Sequence, residues 1–226
     1  MSSQASQASQ ASPTFAKAVY DLASIALNEL EQAHLDGSVS RTPVNQTHYL
    51  NAWVTKAIKT QRFAHCVAAV LLVWQQQGRS LGKHAQLKQT FENIVRIYGS
   101  FLSEQGSLAK VYETQIDALF DQLAETGWSL ITDSVIDRKM KRNSAGMDSL
   151  VICRQQYERA IHPEEKRLIR PLSCYIRGNV EQLISLALAE NLLLFKVTDY
   201  KSKVKYHGEY IIYPSNNGPF LAQFPA

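Results

Sequence analysis

The sequence is poor in the features that usually announce a chemistry. It has only three cysteines, Cys66, Cys153 and Cys174, odd in number and far apart. They form no CxxC pair and no zinc spacing, and His65 beside Cys66 diverges from it on a helix. Free thiols in a reducing compartment are therefore expected, with no metal and no cofactor. Long apolar runs are also missing. The longest uncharged one, Cys66 to Trp74, falls far short of the ~20 residues a membrane span needs. No apolar leader and no arginine-rich transit pattern opens the chain, so a cytoplasmic protein without a membrane partner is expected. The ten glycines make neither a GxGxxG nor a P-loop. Six histidines, His34, His48, His65, His84, His162 and His207, are scattered. None has a serine, cysteine or carboxylate at a catalytic spacing, so no enzyme is expected.

Charge is present but uneven. The formal net charge is +4. Residues 1–130 carry ten Lys/Arg and ten Asp/Glu, whereas residues 131–226 carry fourteen and ten. Within Arg138–Arg177 the balance is ten basic to four acidic. Such asymmetry points to an acidic partner for the second half.

Helical periodicity fills the first half. After the low-complexity opening "SSQASQASQAS", read as a disordered tail over 1–11, Ser12 and Pro13 signal a helix start. Phe15, Val19, Leu22, Ala26 and Leu30 follow at helical spacing as far as Gly37. A second helical region spans about Thr47 to Gln77. Its part from Phe63 to Trp74 is apolar nearly all round, which predicts a central buried helix ended by Gly78. Leu87, Phe91, Ile94, Val95, Tyr98 and Leu102 mark a third. Val111, Ile116, Leu119, Phe120 and Leu123 mark a fourth, ended by Gly127. Short Gly/Ser connections suit an antiparallel bundle over 12–127.

From Trp128 the pattern changes. "DRKMKRNSAGMDS" reads as a helix end running into a loop. Asp148 is expected to cap a helix with Leu150, Val151, Tyr157 and Ile161, and Pro163 to start another. Asn179 is expected to cap a last one. Then "LLLFKVTDYKSKVKYHGEYIIYP", Leu192 to Pro214, alternates as a hairpin does, with its turn near Asp199–Ser202. Leu193, Phe195 and Val197 share one face of its first strand. Val204, Tyr206, Tyr210 and Ile212 share one face of its second. Lys201, Lys203 and Lys205 point the other way, to solvent. Helices followed by such a hairpin resemble the order of a winged helix without its short first strand. The last helix would expose Asn179, Glu181, Gln182, Ser185 and Glu190, which suit a polyanion poorly and disfavour base readout.

The expected fold is thus mainly α. A helical bundle precedes a smaller basic helical domain over 128–214 that ends in the β hairpin. An extended arm over 215–226 follows. Arg138, Lys139, Lys141, Arg142, Lys201, Lys203 and Lys205 are the candidate nucleic-acid contacts, touching phosphates of DNA or RNA without sequence preference. Edge-strand protection would account for the three hairpin lysines equally well. Phe220, Leu221 and Phe224, set between prolines, read as an arm that docks on its own chain or on a partner. The expected function is non-enzymatic nucleic-acid binding within a larger assembly. The alternative is a helical assembly protein that binds only protein partners or itself.

Overall fold

A computed structural model describes residues 13–142, 144 and 146–225. The tail expected over 1–11 lies outside the described residues. Helix α1 (Phe15–Leu35) is capped by Thr14, whose hydroxyl accepts from the Lys17 N–H at 3.3 Å. The cap falls after Pro13, not before it. Helix α2 (Pro43–Lys59) begins on a Thr42 cap with Pro43 in the first turn, where a missing N–H costs nothing. Helix α3 (Ala68–Leu81) and helix α4 (Leu87–Phe101) follow.

The single helical region expected from Thr47 to Gln77 is two helices, with Gln61 at φ +49° between them. Gly78 does not end α3 but lies inside it. Asn51 of α2 sits against Gly78, leaving no room for a Cβ, and its amide donates to the Gly78 carbonyl at 3.4 Å. Nor is α3 buried all round. Leu71 and Trp74 are buried, as is Val67 at its N-cap, but Leu72 and Val73 are about half exposed. Trp53 and Trp74 meet Phe91 edge-on at 6.5 and 4.9 Å, which joins α2, α3 and the start of α4 in one aromatic core.

The chain divides between Glu92 and Asn93, within α4, into two compact units. The second unit overturns the mainly-α expectation. After helix α5 (Glu113–Glu125) come strand β1 (Ser129–Ser134), strand β2 (Ser149–Cys153) and helix α6 (Arg154–Ala160). Strand β3 (Leu172–Arg177), helix α7 (Val180–Ala189), strand β4 (Leu194–Thr198) and strand β5 (Gly208–Ile212) complete it. The five strands form one mixed sheet in the order β1-β2-β3-β5-β4, in which only β1 and β2 are parallel. A smaller helical domain closed by a hairpin, in winged-helix-like order, is therefore not what this sequence builds. The β4–β5 hairpin exists, but β5 also pairs with β3 and lies inside the sheet.

The misread segments are β2 and β3. Both are short apolar runs, and their residues are buried on both faces. Such runs lack the period-two alternation that identifies a half-buried strand. Leu150 and Val151 thus belong to β2, not to a helix capped by Asp148, and no helix starts at Pro163. Asp148 instead accepts the Asn179 N–H at 3.0 Å. Asn179 does cap α7, accepting from the Gln182 N–H at 3.1 Å.

One sheet face, with Leu150, Ile152, Cys174, Ile176, Tyr210 and Ile212, packs against α5 and α7 through Ile116, Leu119, Leu123, Leu183 and Ala187. The fourth expected helix thus covers a sheet and does not close a bundle. The opposite face carries a small cluster of Ile136, Val151, Tyr175 and Val204, flanked by Ile131, Met140 and Cys153. Two loops, not helices, cover it.

Candidate nucleic-acid interface

Those two loops carry the two basic clusters. The first joins β1 to β2 and holds Arg138–Arg142. The second joins β4 to β5 and holds Lys201–Lys205. They are far apart in sequence, and a single parallel bridge between Met140 and Val204 brings them together. The Met140 N–H donates to the Lys203 carbonyl at 2.9 Å, and the Lys205 N–H donates to the Met140 carbonyl at 2.8 Å. Met140 and Val204 turn inward onto the small cluster, so extended alternation turns their neighbours outward. Lys139, Lys141, Lys203 and Lys205 are all exposed, as are Arg138 and Lys201. Arg142 is half buried, with its Nε unpartnered. Among the described residues none of the seven is paired with a carboxylate. Lys141 lies 5.9 Å from the centre of the Tyr206 ring.

The second loop is built to hold its lysines in place. The Ser202 hydroxyl donates to the Val204 carbonyl at 2.7 Å, and the Lys201 N–H donates to the Thr198 hydroxyl at 3.2 Å. His207 closes the loop from below. It is fully buried, with Nδ1 2.9 Å from the Lys205 carbonyl and Nε2 3.1 Å from the Ser149 hydroxyl. A neutral ring donating from Nδ1 and accepting at Nε2 satisfies both. Burial holds its pKa below the ordinary value, against the pull of the Lys205 carbonyl, and nearby Arg177 adds to the lowering.

Beside the loops, on the same sheet face, lies an open polar cleft of about 510 Å³. Ile136, Ser173 and Tyr175 line it, with Arg159, Arg170, Lys203 and a single acid, Glu209. Lys203 thus belongs both to the loop rim and to the cleft. Sequence reasoning did not single out Arg159 or Arg170. Their signal was the ten-to-four excess of cations over Arg138–Arg177. Cys153 also lines the cleft, whereas Cys174 is buried and its thiol is pushed up to about 12 by that burial. Among the described residues no group of three or more His, Cys, Asp or Glu could hold a metal ion.

The expected hairpin alternation holds for the lysines and for buried Leu193, Phe195, Tyr210 and Ile212, and fails at two positions. Val204 is buried as expected, but Val197 and Tyr206 are exposed. The edge-strand explanation loses its ground, because Lys201, Lys203 and Lys205 lie on a connecting loop and not on a strand. The C-terminal arm docks within its own unit. Phe220 packs edge-on to Phe195 at 5.9 Å and Phe224 to Tyr98 at 6.0 Å, with half-buried Leu221 between them. The Ala222 N–H donates to the Tyr98 hydroxyl at 3.1 Å, and the Gln223 N–H to the Leu194 carbonyl at 2.8 Å.

Among the described residues no helix is long and apolar enough to cross a membrane. The chain belongs to the family described as "Protein of unknown function (DUF2913)", whose model matches residues 14–225. No curated protein and no solved structure matches it.

Proposed function

We propose that this chain binds DNA or RNA without catalysis and without base readout, through phosphate contacts made by the joined basic loops. One observation carries the reading. A backbone bridge between Met140 and Val204 gathers two cationic clusters from distant parts of the sequence and leaves them unpaired with acids. An unpaired cation on a surface is an ordinary finding. Seven on two hydrogen-bonded loops, six of them exposed and all beside a cleft with Arg159 and Arg170 against one acid, Glu209, favour a polyanion. The exposed face of α7, with Glu181 and Ser185, offers a polyanion nothing. The protein would work in the cytoplasm, where its free cysteines stay reduced, as one subunit of an assembly.

The test is a binding titration against random single- and double-stranded DNA and RNA at two salt concentrations. Affinity should fall steeply with salt. Changing Lys201, Lys203 and Lys205 together to Gln should weaken binding to every sequence about equally. It should also flatten the slope of log K against log salt by roughly 0.7–0.9 for each phosphate no longer neutralised. Arg138, Lys139 and Lys141 changed to Gln should do the same, with half-buried Arg142 left in place. Absence of any salt-sensitive binding by the unaltered chain would remove the proposal. The reading as an assembly protein that binds only proteins would then be favoured by the apolar groove of Ala57, Ile58, Phe63, Leu71 and Leu72 on the first unit.

A further inference from the structure

The backbone does something costly beside the lysines. Tyr206 adopts φ +67°, in the left-handed region that bulky residues avoid. The turn that imposes this closes when the His207 N–H donates to the Val204 carbonyl at 3.2 Å. Its effect is to swing the Tyr206 ring out of the core. Simple alternation would have sent it inward with Val204. The ring is instead 60% exposed, and Tyr200 at the other end of the same loop is 78% exposed. Two aromatic rings thus stand in water on a loop whose other exposed side chains are Lys201, Lys203, Lys205 and Asp199, the last paired with Lys196. Strain held at an exposed aromatic is an outlier that asks for a role.

We infer that the basic loops take single-stranded nucleic acid, with Tyr206 and Tyr200 as platforms on which unpaired bases stack while the lysines meet the phosphates. This rests on the phosphate-binding reading and narrows its ligand. A duplex hides the faces of its bases in its own stack and presents only phosphates and edges, so the tyrosines would add nothing to its binding. A single strand offers a π-face at every base, whatever the sequence. Lys141 Nζ lies over one face of the Tyr206 ring, 5.9 Å from its centre, so a base stacks on the opposite face or displaces the ammonium toward its own phosphate. The neighbouring cleft, with Arg159, Arg170 and Lys203, offers further cations to the backbone of the strand.

The experiment uses the full chain and two labelled probes, an oligodeoxythymidylate of about 15 nucleotides and a duplex of the same length. Fluorescence anisotropy should show the single strand bound about tenfold more tightly than the duplex. Tyr206→Ala should weaken single-strand binding by about tenfold while changing duplex binding less than about twofold. Tyr206→Phe, which keeps the ring, should bind as the unaltered chain does. Tyr200→Ala, at an unstrained position, should also weaken the single strand selectively. On the unaltered chain, photo-crosslinking from a bromodeoxyuridine-containing strand should map to residues 200–206, which keeps the test sound if Tyr206→Ala folds poorly. Equal affinity for strand and duplex, crosslinks confined to other segments, or full single-strand affinity in both alanine variants would overturn the inference. If neither probe binds in a salt-sensitive way, the phosphate-binding reading has failed as well. If both bind equally and the lysine variants weaken them, the stacking role alone is refuted.

Discussion

His207 shows how much one side chain can organise here. It has no exposed surface, yet both its ring nitrogens have partners, one on the loop that carries the lysines and one on β2. Protonation would strip Nε2 of its acceptor role and place a charge close to Arg177. Burial above all, with Arg177 adding to it, holds the folded pKa below the ordinary value near 6.5. The sign follows: the unfolded chain takes up the proton first as pH falls. Stability from this group is full above that ordinary value and is lost as pH drops through it toward the folded value. Thermal unfolding followed from about pH 7.5 to 5 should show a falling midpoint. His207→Gln should cost about 1–2 kcal/mol at the upper pH and make the descent shallower. An unchanged descent in the variant would assign the acid sensitivity to other groups. Tyr98 acts at the same scale. Its hydroxyl, pushed up to about 12 by burial, accepts the Ala222 N–H. Tyr98→Phe should leave that N–H unpaired and cost about 1–2 kcal/mol in urea unfolding.

Among elements, the C-terminal arm behaves as part of the core. Asn216 is buried at φ +53°, accepts the Leu193 N–H at 2.8 Å and donates to the Asn191 carbonyl at 3.0 Å. Phe195 packs onto Gly218 so closely that a Cβ there would meet its ring. Gly218→Ala should therefore cost about 1–3 kcal/mol by overpacking, read as a lowered midpoint of denaturant unfolding. The arm's extended character and its docking were legible from the prolines and aromatics. Its partner within the fold was not, since nothing in "GPFLAQF" names Phe195 or Tyr98. Helices α1, α4, α5 and α7 were legible because each keeps one apolar face over about three to six turns. Strands β1, β2 and β3 were not. Each is five or six residues long, and β2 and β3 are covered on both faces, so neither length nor alternation separates them from a buried helical turn.

For the whole molecule, what the sequence showed of the candidate site was its charge, and what it concealed was proximity. Lysines at every second position declared an outward face at Lys201–Lys205, and "DRKMKR" declared a second basic cluster. Their meeting depends on a bridge between Met140 and Val204, and it required that both loops lie over the same face of an unforeseen sheet. Tyr206 was legible only as a core residue, because its outward turn is a backbone event that a hydrophobic pattern does not encode.

All of the residues assigned to binding lie after Asn93, and that unit has its own apolar core on one sheet face and a smaller cluster on the other. A unit with a core of its own is able to fold alone. A fragment of residues 93–226 should therefore unfold in one cooperative transition, and its circular dichroism should show mixed helix and strand. The fragment should bind nucleic acid with the salt slope of the full chain, because that slope reflects how many phosphates are neutralised and every candidate cation is retained. Residues 1–92 lack both basic loops and the cleft, and four of their cations, Lys17, Arg41, Arg62 and Lys88, are paired with carboxylates. They should bind with a much shallower slope or not at all. If the folded fragment lost the slope while the full chain kept it, phosphate contacts would have to be sought before Asn93, and the two basic loops would lose their assigned role.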